Sequence, residues 1–171
     1  MTIPTWQNTK HLLAEYDGTA TEIFVIGLPV SSLSTVIAAL AELPALEVLS
    51  FDGKEFYQSE PFDTDWSLRF QTTPSYSGLR SLGSAIGTPQ HLQIYLRFDL
   101  KAIALEVEIV FWNDITFPQN LSPEEREQRL EALLSLAEAC RNGFSDARCI
   151  LAAEHNGPVK ELLELESTVI W

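Results

Sequence analysis

Cations are scarce in this chain. Eleven Lys plus Arg stand against 24 Asp plus Glu in 171 residues, a formal net charge of −13. A field of that sign repels nucleic acid and anionic membrane surfaces, and it speeds encounter with a basic partner. Cysteine is scarcer still: Cys140 and Cys149 are the only two, and they fall on different expected elements. Two thiols in a chain of this length read as reduced core residues of a cytoplasmic protein, not as a disulfide framework. Long hydrophobic runs are missing as well. The longest mostly apolar stretch, Ile103 to Trp112, is interrupted by Glu106 and Glu108 and is far too short to span a bilayer. The opening MTIPTWQNTK has neither a basic start nor a continuous apolar segment, so no secretory signal is expected.

Catalytic signatures are equally sparse. His11, His91 and His155 are scattered, none at metal-ligand spacing to another, and no metal or other cofactor is expected. There is no G-x-S-x-G elbow. The run Gly83-Ser84-Ala85-Ile86-Gly87-Thr88 has the glycine content of a phosphate loop but not its lysine, and it precedes an expected strand instead of a helix. Asp63-Thr64-Asp65 offers two carboxylates that could hold an ion or divide acid and base roles, but beside Pro61 it reads first as a solvated turn. Glu106 and Glu108 form a second pair on one face of a strand. A glycosidase-like dyad would need a pocket for which the sequence gives no argument.

What is there is a strong hairpin, His91 to Trp112. Leu92, Ile94, Leu96 and Phe98 alternate with His91, Gln93, Tyr95 and Arg97, and Ile103, Leu105, Val107, Ile109 and Phe111 alternate with more polar neighbours. Side chains on a strand alternate between faces, so each run has one apolar side. A four-residue connection at 99–102 predicts Phe98 opposite Ile103, Leu96 opposite Leu105 and Ile94 opposite Val107. A slip of one residue would turn the apolar set outward.

The remaining elements fall around it. Residues 10–17 and 21–28 predict a first hairpin about Gly18, the second strand apolar enough to be buried on both faces. After Pro29, Ser31 or Ser32 caps a helix with Leu33, Val36, Ile37 and Leu40 inward. A strand over 46–51 turns at Asp52-Gly53 into a strand from Lys54 to Tyr57. An acidic connection spans 58–65, and Trp66, Leu68 and Phe70 alternate as another strand. Residues 73–90, rich in Gly and Pro, predict a long irregular loop, and loops of that length are often functional. Ser122-Pro123-Glu124-Glu125 opens a capped helix with Leu130, Leu133, Leu134, Ala137 and Cys140 on one stripe, stopped at Asn142-Gly143. Residues 147–154 form a buried strand, Gly157-Pro158 opens a last helix with Val159, Leu162 and Leu163 inward, and 167–171 form an edge strand.

This order predicts a single α+β domain over 1–171. Its sheet is expected to be largely antiparallel, with a central hairpin at 91–112 and two to three helices packed on one face. A mixed sheet is the alternative, because 22–28 and 147–153 both read as doubly buried.

The candidate functional feature is a surface. The outward face of the hairpin is expected to carry Tyr95, Arg97, Glu106, Glu108 and Trp112. The acidic stretch carries Asp52, Glu55, Tyr57, Glu60, Asp63 and Asp65, followed by Trp66. Aromatic residues and Arg anchor interfaces, and carboxylates around them suit a basic protein partner. The competing reading covers the hairpin face with a helix and makes Trp112 core.

The run EVEIVFWNDITFP, Glu106 to Pro118, followed by the helix capped at Ser122, resembles the acidic α+β immunity proteins encoded beside bacterial polymorphic and contact-delivered toxins. The resemblance covers about a third of the chain. It implies a small inhibitor, monomer or homodimer, that binds one cognate toxin domain, often a basic nuclease, and blocks it without chemistry of its own. No residue role transfers position by position. Two other classes remain open: a small hydrolase or ligand-binding domain using the paired carboxylates under a 73–90 lid, and an accessory structural protein of a secretion or phage-like assembly.

Overall fold

The hairpin sits at the middle of an eight-stranded sheet. The structure, a computed structural model, describes residues 3–14, 17–72, 77–81, 91–99, 101, 103–154, 159–165 and 167–171. Strands β1 (Ala20–Pro29), β2 (Leu46–Phe51), β3 (Lys54–Pro61), β4 (Ser77–Ser81), β5 (Leu92–Asp99), β6 (Ala104–Trp112), β7 (Arg148–Ala153) and β8 (Val169–Ile170) lie in the order β3-β2-β4-β5-β6-β1-β7-β8. Each pairing is antiparallel, so the mixed-sheet alternative does not hold.

In the β5–β6 pair Phe98 faces Leu105, Leu96 faces Val107 and Ile94 faces Ile109. The register is two residues away from the expected one. A shift of two preserves which face each side chain takes, so apolar alternation alone cannot detect it. β5 runs to Asp99, one residue further than expected, and β6 begins only at Ala104, which leaves Ile103 in the connection, with φ 53 and 69% exposure. It does not lie on the apolar face.

One face of the sheet is covered by four helices: α1 (Trp6–Leu13), α2 (Leu33–Ala41), α3 (Thr64–Thr72) and α5 (Pro123–Arg141). Between them and the sheet lies a single large core that includes Leu13, Ile37, Leu40, Phe70, Ile94, Val107, Phe111, Phe117 and Leu133. A short helix, α4 (Asn113–Thr116), follows β6 directly. Asn113 is buried there: its Nδ2 donates to Leu12 O at 2.8 Å, and its Oδ1 accepts from Thr21 Oγ1 at 2.8 Å. It ties the ends of α1, β1 and β6 together. On the opposite face, α6 (Val159–Leu162) places Leu162 over Phe24, Ile150 and Ala152 as a small second cluster. The apolar run in β1 is therefore buried on both faces, Ile23 and Val25 toward the large core and Phe24 toward the small one. Leu163, expected inward, is 38% exposed.

α5 forms as its sequence predicts. Glu125 N donates to Ser122 Oγ at 3.2 Å and Ser122 N donates to Glu125 Oε2 at 2.8 Å, which satisfies two helix-end donors reciprocally.

Other expectations change as well. Residues 10–13 continue α1 and make no strand, because Thr9, Leu12 and Leu13 bury at i, i+3, i+4. Trp66 to Phe70 is helical: Trp66 and Phe70 bury at i, i+4 while Leu68 is 58% exposed, and Asp63 Oδ1 accepts Trp66 N at 3.0 Å as the cap. Within the expected loop 73–90, residues 77–81 form β4 between β2 and β5. The Gly83–Thr88 run, Gly157-Pro158 and His155 lie outside the described residues.

Candidate functional site

The expected surface divides into two groups, on strands that the sheet order keeps apart. β2 and β4 lie between β3 and β5, and at a strand spacing of about 4.8 Å that separation is roughly 14 Å.

The first group lies along the edge strand β3 and its two ends. Asp52 and Gly53, at φ 54 and 69, make the left-handed pair that a two-residue hairpin turn needs. Asp52, Glu55, Tyr57, Glu60, Asp63 and Asp65 are all exposed, and Tyr57 is exposed completely. Between residues 52 and 65 the chain carries five carboxylates and one lysine, Lys54. β3 pairs with β2 alone, and the ladder is irregular between Val48 and Ser50.

Trp66 is not on this surface but beneath it, 5% exposed. Its ring packs on Phe51, Phe56 and Phe70 at centroid distances of 5.5, 5.6 and 6.1 Å. Its Nε1 donates to Glu60 Oε2 at 3.1 Å, and the Arg69 guanidinium covers its ring at 4.0 Å. The indole therefore holds one carboxylate of the acidic edge in place. Asp63, as the α3 cap, holds the turn that follows, which gives the D-x-D pair a structural use.

The second group lies on the sheet face away from the large core, at β5, β6 and β1. Arg97 sits directly across from Glu106, and Tyr95 across from Glu108. The expected register, with Phe98 opposite Ile103, would leave Arg97 a diagonal step from Glu106; the two-residue difference brings them together. One guanidinium nitrogen of Arg97 donates to Glu106 Oε1 at 2.9 Å and the other pairs with Glu108. Tyr95 OH donates to Gln93 Oε1 at 3.1 Å. Glu108 is 5% exposed, so it is not available as an outward contact. Burial pushes its carboxyl above the ordinary glutamate range and Glu106 adds to the rise, while Arg97 and a hydrogen bond with Glu22 oppose it.

Glu22 is the residue sequence reasoning missed. It is also 5% exposed, and the signal for it was a single carboxylate inside the otherwise apolar 21–28 strand. Next to this cluster, a cavity of about 290 Å³ is lined by Arg97, Glu106, Asp99 and Gly27, and Glu108 does not border it. On the same face Arg80 Nη2 pairs with Glu47 at 2.7 Å and reaches Ser59 Oγ at 3.2 Å, bridging β4 to β2 and β3. Trp112 is half-buried at the end of β6, opposite Ala20 and away from both groups.

Neither cysteine is set up as a nucleophile. Burial pushes both thiols up to about 12, so neither is a thiolate near neutral pH. Among the described residues no group of three or more His, Cys, Asp or Glu is placed to hold a metal ion, and no helix is long and apolar enough to cross a membrane. No protein-family model, curated protein or solved structure matches this chain.

Proposed function

We propose that this chain is an immunity-type inhibitor that binds a basic bacterial toxin domain by contact alone. The observation that carries the reading is the β3 edge: a fully exposed Tyr57 flanked by Glu55 and Glu60, with Asp52, Asp63 and Asp65 at the two ends. Tyrosine supplies a large anchor at low entropic cost, and carboxylates around it steer a basic partner and suppress wrong ones. Trp66 and Asp63 hold that edge from below, so it meets its partner preorganised. The acidic balance of the whole chain points the same way.

The test mixes the purified protein with the product of the adjacent open reading frame and follows association by calorimetry. The expected result is a 1:1 complex tighter than micromolar, weakened at least tenfold by Tyr57→Ala combined with Glu55→Lys. Absence of a complex at micromolar concentrations across several salt levels overturns the reading.

A second reading, an acid–base enzyme, has one observation behind it: the raised carboxyl of Glu108 beside Glu106. A group held above its ordinary range is what proton transfer near neutral pH uses. Arg97 and Glu22 occupy the space around that carboxyl, and the neighbouring cavity reaches Glu106 instead. The contact reading therefore has the stronger support.

A further inference from the structure

Helix α5 stops at an Asn-Gly pair, and the geometry that ends the helix also suits a reaction of the chain with itself. Asn142 leaves the helical region at φ −54 and ψ 125, and Gly143 follows at φ 85. Both residues are exposed. A Cβ added at Gly143 would meet nothing within 4 Å, so the space beside this peptide unit is open. The amides on either side are engaged: Asn142 N donates to Ala139 O at 3.3 Å and Phe144 N to Arg141 O at 2.9 Å. Gly143 N donates to no described group.

That nitrogen is the nucleophile of asparagine deamidation. Once hydroxide takes its proton, it bonds to Asn142 Cγ, and the side-chain amide nitrogen leaves as ammonia. The product is a five-membered succinimide, with no change of oxidation state. Water then opens the ring at one of its two carbonyls, to aspartate or to isoaspartate, and either one adds a negative charge. Three features hold this reaction back in a folded chain: a side chain on the following residue, a hydrogen bond on the attacking N–H, and a helical backbone at the asparagine. None of them protects Asn142, since glycine has no side chain and the other two are absent from the geometry above. Asn113 is the contrast. It is buried in α4, and both Oδ1 and Nδ2 are engaged.

We propose that Asn142-Gly143 is a self-modification site, where the folded chain converts without an enzyme to aspartate or isoaspartate at position 142. The site is independent of what the chain binds. The new carboxylate stands at the carbonyl end of α5, the end at which a helix disfavours negative charge. Its neighbour Arg141 is already committed to Glu138 at 2.8 Å and to Ala147 O and Trp171 O at 3.3 Å. Isoaspartate also inserts one backbone carbon into the connection to β7.

The test incubates the full chain in warm buffer, folded or unfolded in guanidinium chloride, at neutral and mildly alkaline pH. Peptide mapping by mass spectrometry then follows Asn142 separately from the other Asn-Gly pair, Asn156-Gly157, which lies outside the described residues. The expected result is exchange of NH2 for OH at Asn142 in the folded chain, faster at the higher pH. Its rate should lie within about tenfold of the unfolded chain's, because an open site needs no local unfolding first. Asn113 should convert only when the chain is unfolded, and Asn142→Gln, whose ring would need six members, should abolish conversion at 142. A folded rate further than that below the unfolded one overturns the proposal. So does a rate at Asn142 that ignores pH or that does not exceed the rate at Asn113 in the folded chain.

Discussion

Glu108 is a carboxylate whose charge the fold tolerates poorly. It lies 95% out of solvent next to Glu22, and it shares the Arg97 guanidinium with Glu106. Its folded-state affinity for a proton is therefore higher than in the unfolded chain, with burial as the largest cause. The sign follows by linkage. Below the ordinary glutamate value of 4.5 both states hold the proton and the burial is harmless. As pH rises above it, the unfolded chain ionises first and stability falls until the folded carboxyl ionises too. Glu108→Gln keeps the shape and removes the titration. We expect its urea midpoint to match that of the parent well below pH 4.5 and to exceed it at pH 7.5, by about 1 kcal/mol in stability, the usual size of a single-residue effect. Matched midpoints across the whole pH range would mean that burial does not raise the carboxyl. Asn113 shows the opposite case at the same scale. Its amide has a partner for both Oδ1 and Nδ2, so a buried polar group costs nothing there and fixes three chain ends.

β4 shows why some elements were readable in the sequence and others were not. Its glycine, Gly78, fits between Ser50 and Tyr95: an added Cβ would sit 2.9 Å from Ser50 Oγ and 3.5 Å from the Tyr95 ring. Gly78 N donates to that same hydroxyl at 2.8 Å. Gly78→Ala is expected to destabilise by roughly 1–3 kcal/mol, through overpacking and the lost hydrogen bond. Adding Ser50→Gly should recover part of that loss, since the two sites are in contact and their effects do not add. A denaturation cycle on the four proteins checks it, and strict additivity would count against the packing. In sequence, a Ser-Gly beginning among prolines and glycines reads as loop, because its reason for being a strand lies on two other strands. The β5–β6 hairpin, α5 and β7 were legible because each carries its own period and its own stop signals. Trp66 to Phe70 was not, since Trp66 and Phe70 satisfy both a two-residue and a four-residue spacing and only the exposure of Leu68 decides. The same limit governs the candidate site. The acidic edge could be read from residue types alone, whereas the meeting of Glu22 with Glu108 depends on β1 pairing with β6, more than 80 residues away.

For the whole molecule, the excess of negative charge acts on folding and on binding with opposite signs, and salt separates the two. The formal charge of −13 makes the compact state repel itself, and the stretch from Asp52 to Asp65 contributes four net negative charges of that total, five carboxylates less one lysine. Screening weakens this repulsion as the Debye length falls from about 30 Å at 0.01 M to about 3 Å at 1 M ionic strength. The thermal midpoint of the free protein should therefore rise by several degrees between about 20 mM and 500 mM sodium chloride, where a few degrees corresponds to ~1 kcal/mol in a domain of this size. Association with a basic partner should move the other way. Its rate should drop by at least roughly tenfold over the same range, since steering by complementary charge is the salt-sensitive part of docking. The dissociation rate should change much less, because it is set by the anchored side chains at the contact. Scanning calorimetry of the free chain and stopped-flow mixing with the partner measure the two arms separately. A thermal midpoint that falls with salt would mean that attractive ion pairs such as Arg80–Glu47 and Arg97–Glu106 outweigh the net repulsion. An association rate that ignores salt would mean that the acidic edge is not where the partner arrives.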